Sequence, residues 1–157
     1  MLSANGHFGR LTLALVLSAM LAAQASAETI AETASKWGLI GPWSLDCSLP
    51  PDRGRGAVLA YETTAAGGVL HRRDFGDKTD ENPVLAAKVS PDGMLNLRVS
   101  LPALKQTREY GLMLQPDRTM RAIYNRDEKK QYTIKDGKFT VGGKPTPSFH
   151  KCKPPAS

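Results

Sequence analysis

The residues best suited to chemistry lie on two short stretches. In "ALKQTREYGLMLQ" (103–115), Leu104, Gln106, Arg108, Tyr110, Leu112 and Leu114 fall on one face at a spacing of two. In "VLHRRDF" (69–75), Val69, His71, Arg73 and Phe75 do the same. That period is the strand period, and the leucines and valine mark the face as the buried one. Arg108 and Gln106 are then carried inward with Tyr110, and His71 and Arg73 with Val69. A guanidinium taken out of water needs a carboxylate, a ligand or a remaining path to solvent. Besides a change of register, as by a bulge at Gly111, two outcomes are open. Arg108 reaches a rim and pairs with Glu62 or Asp74, or it holds an anionic or polar small molecule by paired hydrogen bonds. In the second case Arg108 is the anchor, Tyr110 and Gln106 are its polar neighbours, and His71 and Arg73 contribute from the earlier strand.

Other chemistry finds little support. The histidines are His7, His71 and His150. No nucleophile elbow, zinc-protease helix or phosphate-binding glycine loop occurs. His71, Asp74 and Asp77 are close in sequence, but a histidine near aspartates is not by itself a metal site. No catalytic residue, metal or cofactor is expected, and the chain is not read as an enzyme.

The positioning elements are mostly strands. Turn chemistry recurs in "AAGG" (65–68), "SPDG" (90–93), "QPDR" (115–118), "KDG" (135–137) and "GGK" (142–144). The runs between read as strands near 39–47, 57–64, 68–75, 83–90, 93–101, 104–115, 118–125, 130–135, 138–142 and 147–152. Leu95, Leu97, Val99 and Leu101 alternate cleanly with polar neighbours. Trp43, Leu45 and Cys47 share a face, as do Tyr132 and Ile134, then Phe139 and Val141. Asp136-Gly137 predicts a tight hairpin. The one helical stretch, "ETIAETASKWG", puts Ile30, Ala34 and Trp37 together and stops at Gly38. The fold class is all-β: a single antiparallel barrel of about 8–10 strands with a short N-terminal helix.

The amino terminus reads as an address. Arg10, an apolar run "LTLALVLSAMLAA" and Ala25-Ser26-Ala27 follow the order of a secretory signal peptide, residues 1–27, leaving residues 28–157 as a single domain. No later stretch is apolar enough to span a membrane. A bacterial periplasmic or secreted location is expected. The formal charge of +6 includes Arg10. The remaining basic residues are scattered among acids, so no nucleic-acid surface is expected. Two cysteines in an exported protein allow one pairing, Cys47 with Cys152, closing a loop of about 105 residues. Such a loop contributes up to roughly 4.7 kcal/mol in the chain-entropy description. The alternative, two free thiols, has no Cys-x-x-Cys and no histidine near Cys47 behind it.

Gly41-Pro42-Trp43, following the helical stretch, resembles the Gly-x-Trp of lipocalins and related barrels. The resemblance implies a lipocalin- or calycin-like barrel, with Trp43 packed at its closed end beneath a basic residue from near the last strand, for which Lys151 is the substitute. The chain also resembles a group of small exported α-proteobacterial proteins that share "G-x-W-x-x-D-C" (41–47), "R-D-F-G" (73–76) and "D-G-K" (136–138), and, more coarsely, small bacterial protease inhibitors with one disulfide. The implied function is a monomeric barrel binding a small molecule in or at the mouth of its interior. The alternative is a protein-interaction module, such as an inhibitor of an exported enzyme, using "ETIAETASKW" or "FGDKTDENP".

Overall fold

The structure is a computed structural model describing residues 27–153. The signal-peptide reading falls on residues outside the described ones, apart from Ala27. Helix α1 spans Ile30–Trp37. The strands are β1 Gly41–Ser44, β2 Val58–Thr63, β3 Val69–Asp74, β4 Thr79–Val89, β5 Leu95–Leu101, β6 Gln106–Leu114, β7 Met120–Asp127, β8 Tyr132–Lys135, β9 Lys138–Phe139 and β10 His150–Lys151. All pair antiparallel in the order β10-β1-β2-β3-β4-β5-β6-β7-β8-β9. The sheet curls into a half-barrel over one apolar core.

The core follows the alternation. Leu95, Leu97, Val99 and Leu101 are all buried, as are Leu39, Trp43, Tyr61, Val69 and Met120. Thr29 caps α1 by accepting from the Glu32 N–H, while Glu32 reaches back to the Thr29 N–H. Gly38, at φ 91°, ends the helix in the left-handed region. The helix closes one end of the half-barrel. Ala34 is fully buried, Ala31 N donates to Gly67 O in the β2–β3 turn, and Trp37 Nε1 donates to Gly93 O in the β4–β5 turn. Asp136 and Gly137, at φ 53° and 70°, make the tight turn between β8 and β9.

Residues 146–151 draw the two ends of the sheet together. Phe149 exchanges both backbone hydrogen bonds with Met120 of β7, at 2.8 and 2.9 Å, while His150 and Lys151 pair with Ser44 and Trp43 of β1. The Cys47–Cys152 disulfide, with Cα atoms 5.4 Å apart, fastens the same place. Neither cysteine is in a strand: β1 ends at Ser44 and β10 at Lys151, so the expected extension of the first strand to Cys47 is corrected. Complete closure by strand pairing is not reached. β9 has two residues, and the segment after it carries Gly142, Gly143, Pro145 and Pro147, which interrupt a ladder. Val141, expected on a strand face with Phe139, is 89% exposed in the turn beyond β9.

Register shifts in β4, between β6 and β7, and between β7 and β8 change which residues face inward. In β4 the partner of Val84 is Val99 but that of Ala86 is Arg98, so Leu85 is bulged and exposed. Between β6 and β7, Gly111 pairs with Tyr124 and Leu112 with Ala122, leaving Ile123 as the extra residue. Gly111 is required there, because a Cβ on it would lie 2.2 Å from Tyr124 Cε1. β4 begins at Thr79, earlier than expected, so "FGDKTDENP" is not an end loop; only residues 75–78 form the turn.

Candidate functional site

The inward polar residues form cross-strand rows, because residues paired across adjacent antiparallel strands share a face. One row is Tyr61, His71 and Asn82 on β2, β3 and β4. The next is Leu59, Arg73 and Asp80. On the far side Leu97, Tyr110, Asn125 and Ile134 make a row on β5 to β8, followed by Val99, Arg108 and Asp127. The curl of the sheet brings members of the first three rows around a cavity of about 250 Å³. Its apolar wall includes Leu59, Leu112, Ala122, Ile134 and Phe149, and its polar groups are Tyr61, His71, Arg73, Tyr110, Asn125 and Thr146.

His71 is 3% exposed, and neither ring nitrogen has a hydrogen-bond partner among the described residues. Its ring stacks on Tyr61 at 4.5 Å between centroids and meets Tyr110 edge-on at 6.2 Å. Burial, reinforced by the Arg73 charge, lowers its pKa to about 3, so the imidazole is neutral. Burial also pushes the Tyr61 and Tyr110 phenols up. Arg73 donates from Nε to Asp80 Oδ1 at 2.8 Å and from Nη2 to Asp80 Oδ2 at 2.5 Å. That bidentate pair holds the Asp80 carboxyl below its usual range, and burial opposes it. Asn82, 1% exposed, donates to Asp80 Oδ1 and to the His71 carbonyl, which locks the pair against β3.

Arg108 stands one hydrogen bond behind the cavity wall. Its Nε donates to Asn125 Oδ1 at 2.5 Å, Nη1 to Gln106 Oε1 at 3.3 Å and Nη2 to Thr133 Oγ1 at 2.9 Å. It is half-buried, and the expected rim pairing with Glu62 or Asp74 does not form: Glu62 lies beside Arg72. Among the described residues Arg108 has no ion pair. Asp127 sits opposite it on β7, but Asp127 Oδ1 accepts from the Gln131 backbone N–H at 2.9 Å.

Of the five residues singled out by spacing, His71, Arg73 and Tyr110 line the cavity, Arg108 contacts a lining residue, and Gln106 contacts Arg108. Tyr61, Asp80, Asn82, Asn125 and Thr146 were not singled out. Tyr61 was legible, since it alternates with Leu59. Asn82 precedes a proline and resembles turn chemistry. Asn125 is carried inward only by the bulge at Ile123. Neither a family model, nor a curated protein, nor a solved structure matches the chain.

Proposed function

We propose that this chain is an exported, lipocalin-like binding protein that holds a small molecule in the half-barrel interior, with Arg108 and Asn125 at the polar end of the site. The observation that carries the reading is His71: a buried imidazole, both of whose nitrogens lack a partner among the described residues, on the wall of a cavity of mixed apolar and polar lining. Leaving such groups unpaired costs about 1–3 kcal/mol, a cost more typical of functional sites than of structural cores. The lipocalin likeness is supported by Lys151, whose Nζ lies 5.5 Å over the Trp43 ring. The disulfide is in keeping with an oxidising compartment outside the cytoplasm.

The inhibitor alternative has less behind it. The segment 28–37 is engaged in closing the half-barrel, with Ile30, Ala31 and Trp37 packed on the core. Native mass spectrometry of the mature protein, purified without denaturation from the cells that make it, tests the reading. An adduct that leaves on mild unfolding is expected. A bare protein, together with a fragment screen that moves no amide resonance of Tyr61, His71 or Tyr110, would reject it.

A further inference from the structure

We infer that the ligand class of this interior site is a small aromatic monocarboxylate, an inference that rests on the binding reading above. Size comes first. A cavity of about 150 Å³ admits benzene, so 250 Å³ admits a molecule of about ten non-hydrogen atoms. A ring with one short substituent fills that volume. Shape comes second. Five of the lining side chains are rings: Tyr61, His71, Tyr110, Phe139 and Phe149. Tyr61 and His71 lie parallel within 5° and Tyr110 stands at 85° to His71, so a flat guest finds both faces and edges to pack against.

Charge comes third. Two guanidinium groups flank the polar end, Arg73 on the wall and Arg108 behind Asn125, and among the described residues one carboxylate, Asp80, contacts either of them. Both Asp80 oxygens are engaged by Arg73 and Asn82. Arg108 donates only to neutral oxygens among the described residues, with Asp127 opposite it on β7 but not in contact, and keeps N–H groups that no described residue accepts. A half-buried guanidinium in that state is where a carboxylate gains most, through short charge-assisted hydrogen bonds. Asn125, not Arg108, lines the cavity, so the carboxylate reaches Arg108 by taking the place of the Asn125 amide oxygen, which sets it at one end of the cavity with the ring among the aromatic walls.

Titrating the isotope-labelled mature protein with benzoate and with its neutral isostere benzamide tests this. Benzoate is expected to shift the amide resonances of His71, Tyr110 and Asn125, and to bind about tenfold more tightly than benzamide. Arg108→Met should bring benzoate down to the benzamide level, and Arg108→Lys should fall between. Equal affinity of wild type for benzamide and benzoate would overturn the carboxylate inference while leaving the binding site standing. Shifts confined to residues outside the cavity with both compounds would overturn the inference and the binding reading together. The wild-type comparison decides the matter even if the Met variant does not fold.

Discussion

Lys151 Nζ lies 5.5 Å above the Trp43 ring and donates at 2.7 Å to the Gly38 carbonyl, joining the last strand to the first strand and to the end of the helix. Trp43 itself is 1% exposed, and its Nε1 donates to Leu39 O at 2.7 Å. Three elements therefore meet on one indole. Trp43→Ala should cost about 3–5 kcal/mol, as large-to-small aromatic core changes do. Lys151→Met, which removes an exposed cation over the ring, should cost about 0.5–1 kcal/mol. Urea unfolding of both variants checks the ranking, and a Trp43→Ala cost below about 1 kcal/mol would contradict the packing.

Reduction of the disulfide acts on the unfolded chain more than on the sheet. Cys152 N still donates to Pro42 O, and Phe149 still bridges to Met120, when the sulfurs part. The double variant Cys47→Ser, Cys152→Ser should melt about 10 °C lower, given a loop-closure contribution of up to roughly 4.7 kcal/mol, with an unchanged far-ultraviolet spectrum. Scanning calorimetry with circular dichroism measures both; loss of the strand signal at 25 °C would count against this account.

His71 should make stability fall on mild acidification. Its folded pKa, about 3, lies below the 6.5 of an ordinary histidine. Above pH 6.5 the imidazole is neutral folded and unfolded. Between 6.5 and 3 the unfolded chain takes up a proton that the fold refuses, so stability is lost as pH falls, approaching about 1.4 kcal/mol per unit. Between pH 6.5 and 5 the carboxylates held low by ion pairs, Asp80 among them, remain ionised and add little. His71→Phe keeps a ring against Tyr61 and has no unsatisfied nitrogens. It should flatten the slope in this window and be at least as stable as wild type at pH 7. An unchanged slope in urea titrations would show that His71 is not the group responsible.

Gly111 admits the Tyr124 ring, whose hydroxyl donates to Asn96 Oδ1 at 2.8 Å. Gly111→Ala should therefore cost about 1–3 kcal/mol by overpacking. In a Tyr124→Ala background the same change should cost less, since the ring is gone and Met94 Sδ, 2.8 Å from the added Cβ, ends a flexible side chain. A double-mutant cycle with no coupling between the two positions would mean that Tyr124 is not the obstacle.

Much of the architecture was legible in the residues themselves. Alternation at 95–101, the Gly38 stop and Asp136-Gly137 are local signals, and a strand period or a positive φ needs no distant partner to be read. Those same signals brought out the inward face of Gln106, Arg108 and Tyr110, and that of His71 and Arg73. What only the tertiary structure decided is non-local. One extra residue in a strand reverses the facing of every residue beyond it. The bulge at Ile123 thus turns Asn125 inward to meet Arg108, although alternation counted from Met120 would point it outward. Arg73 finds Asp80 rather than a neighbour in sequence, because β3 and β4 set them opposite each other. The extent of closure depends on where Phe149 meets Met120, a contact between the chain's end and its seventh strand. Periodicity records which residues avoid water; which of them meet inside follows from the curl and register of the whole sheet.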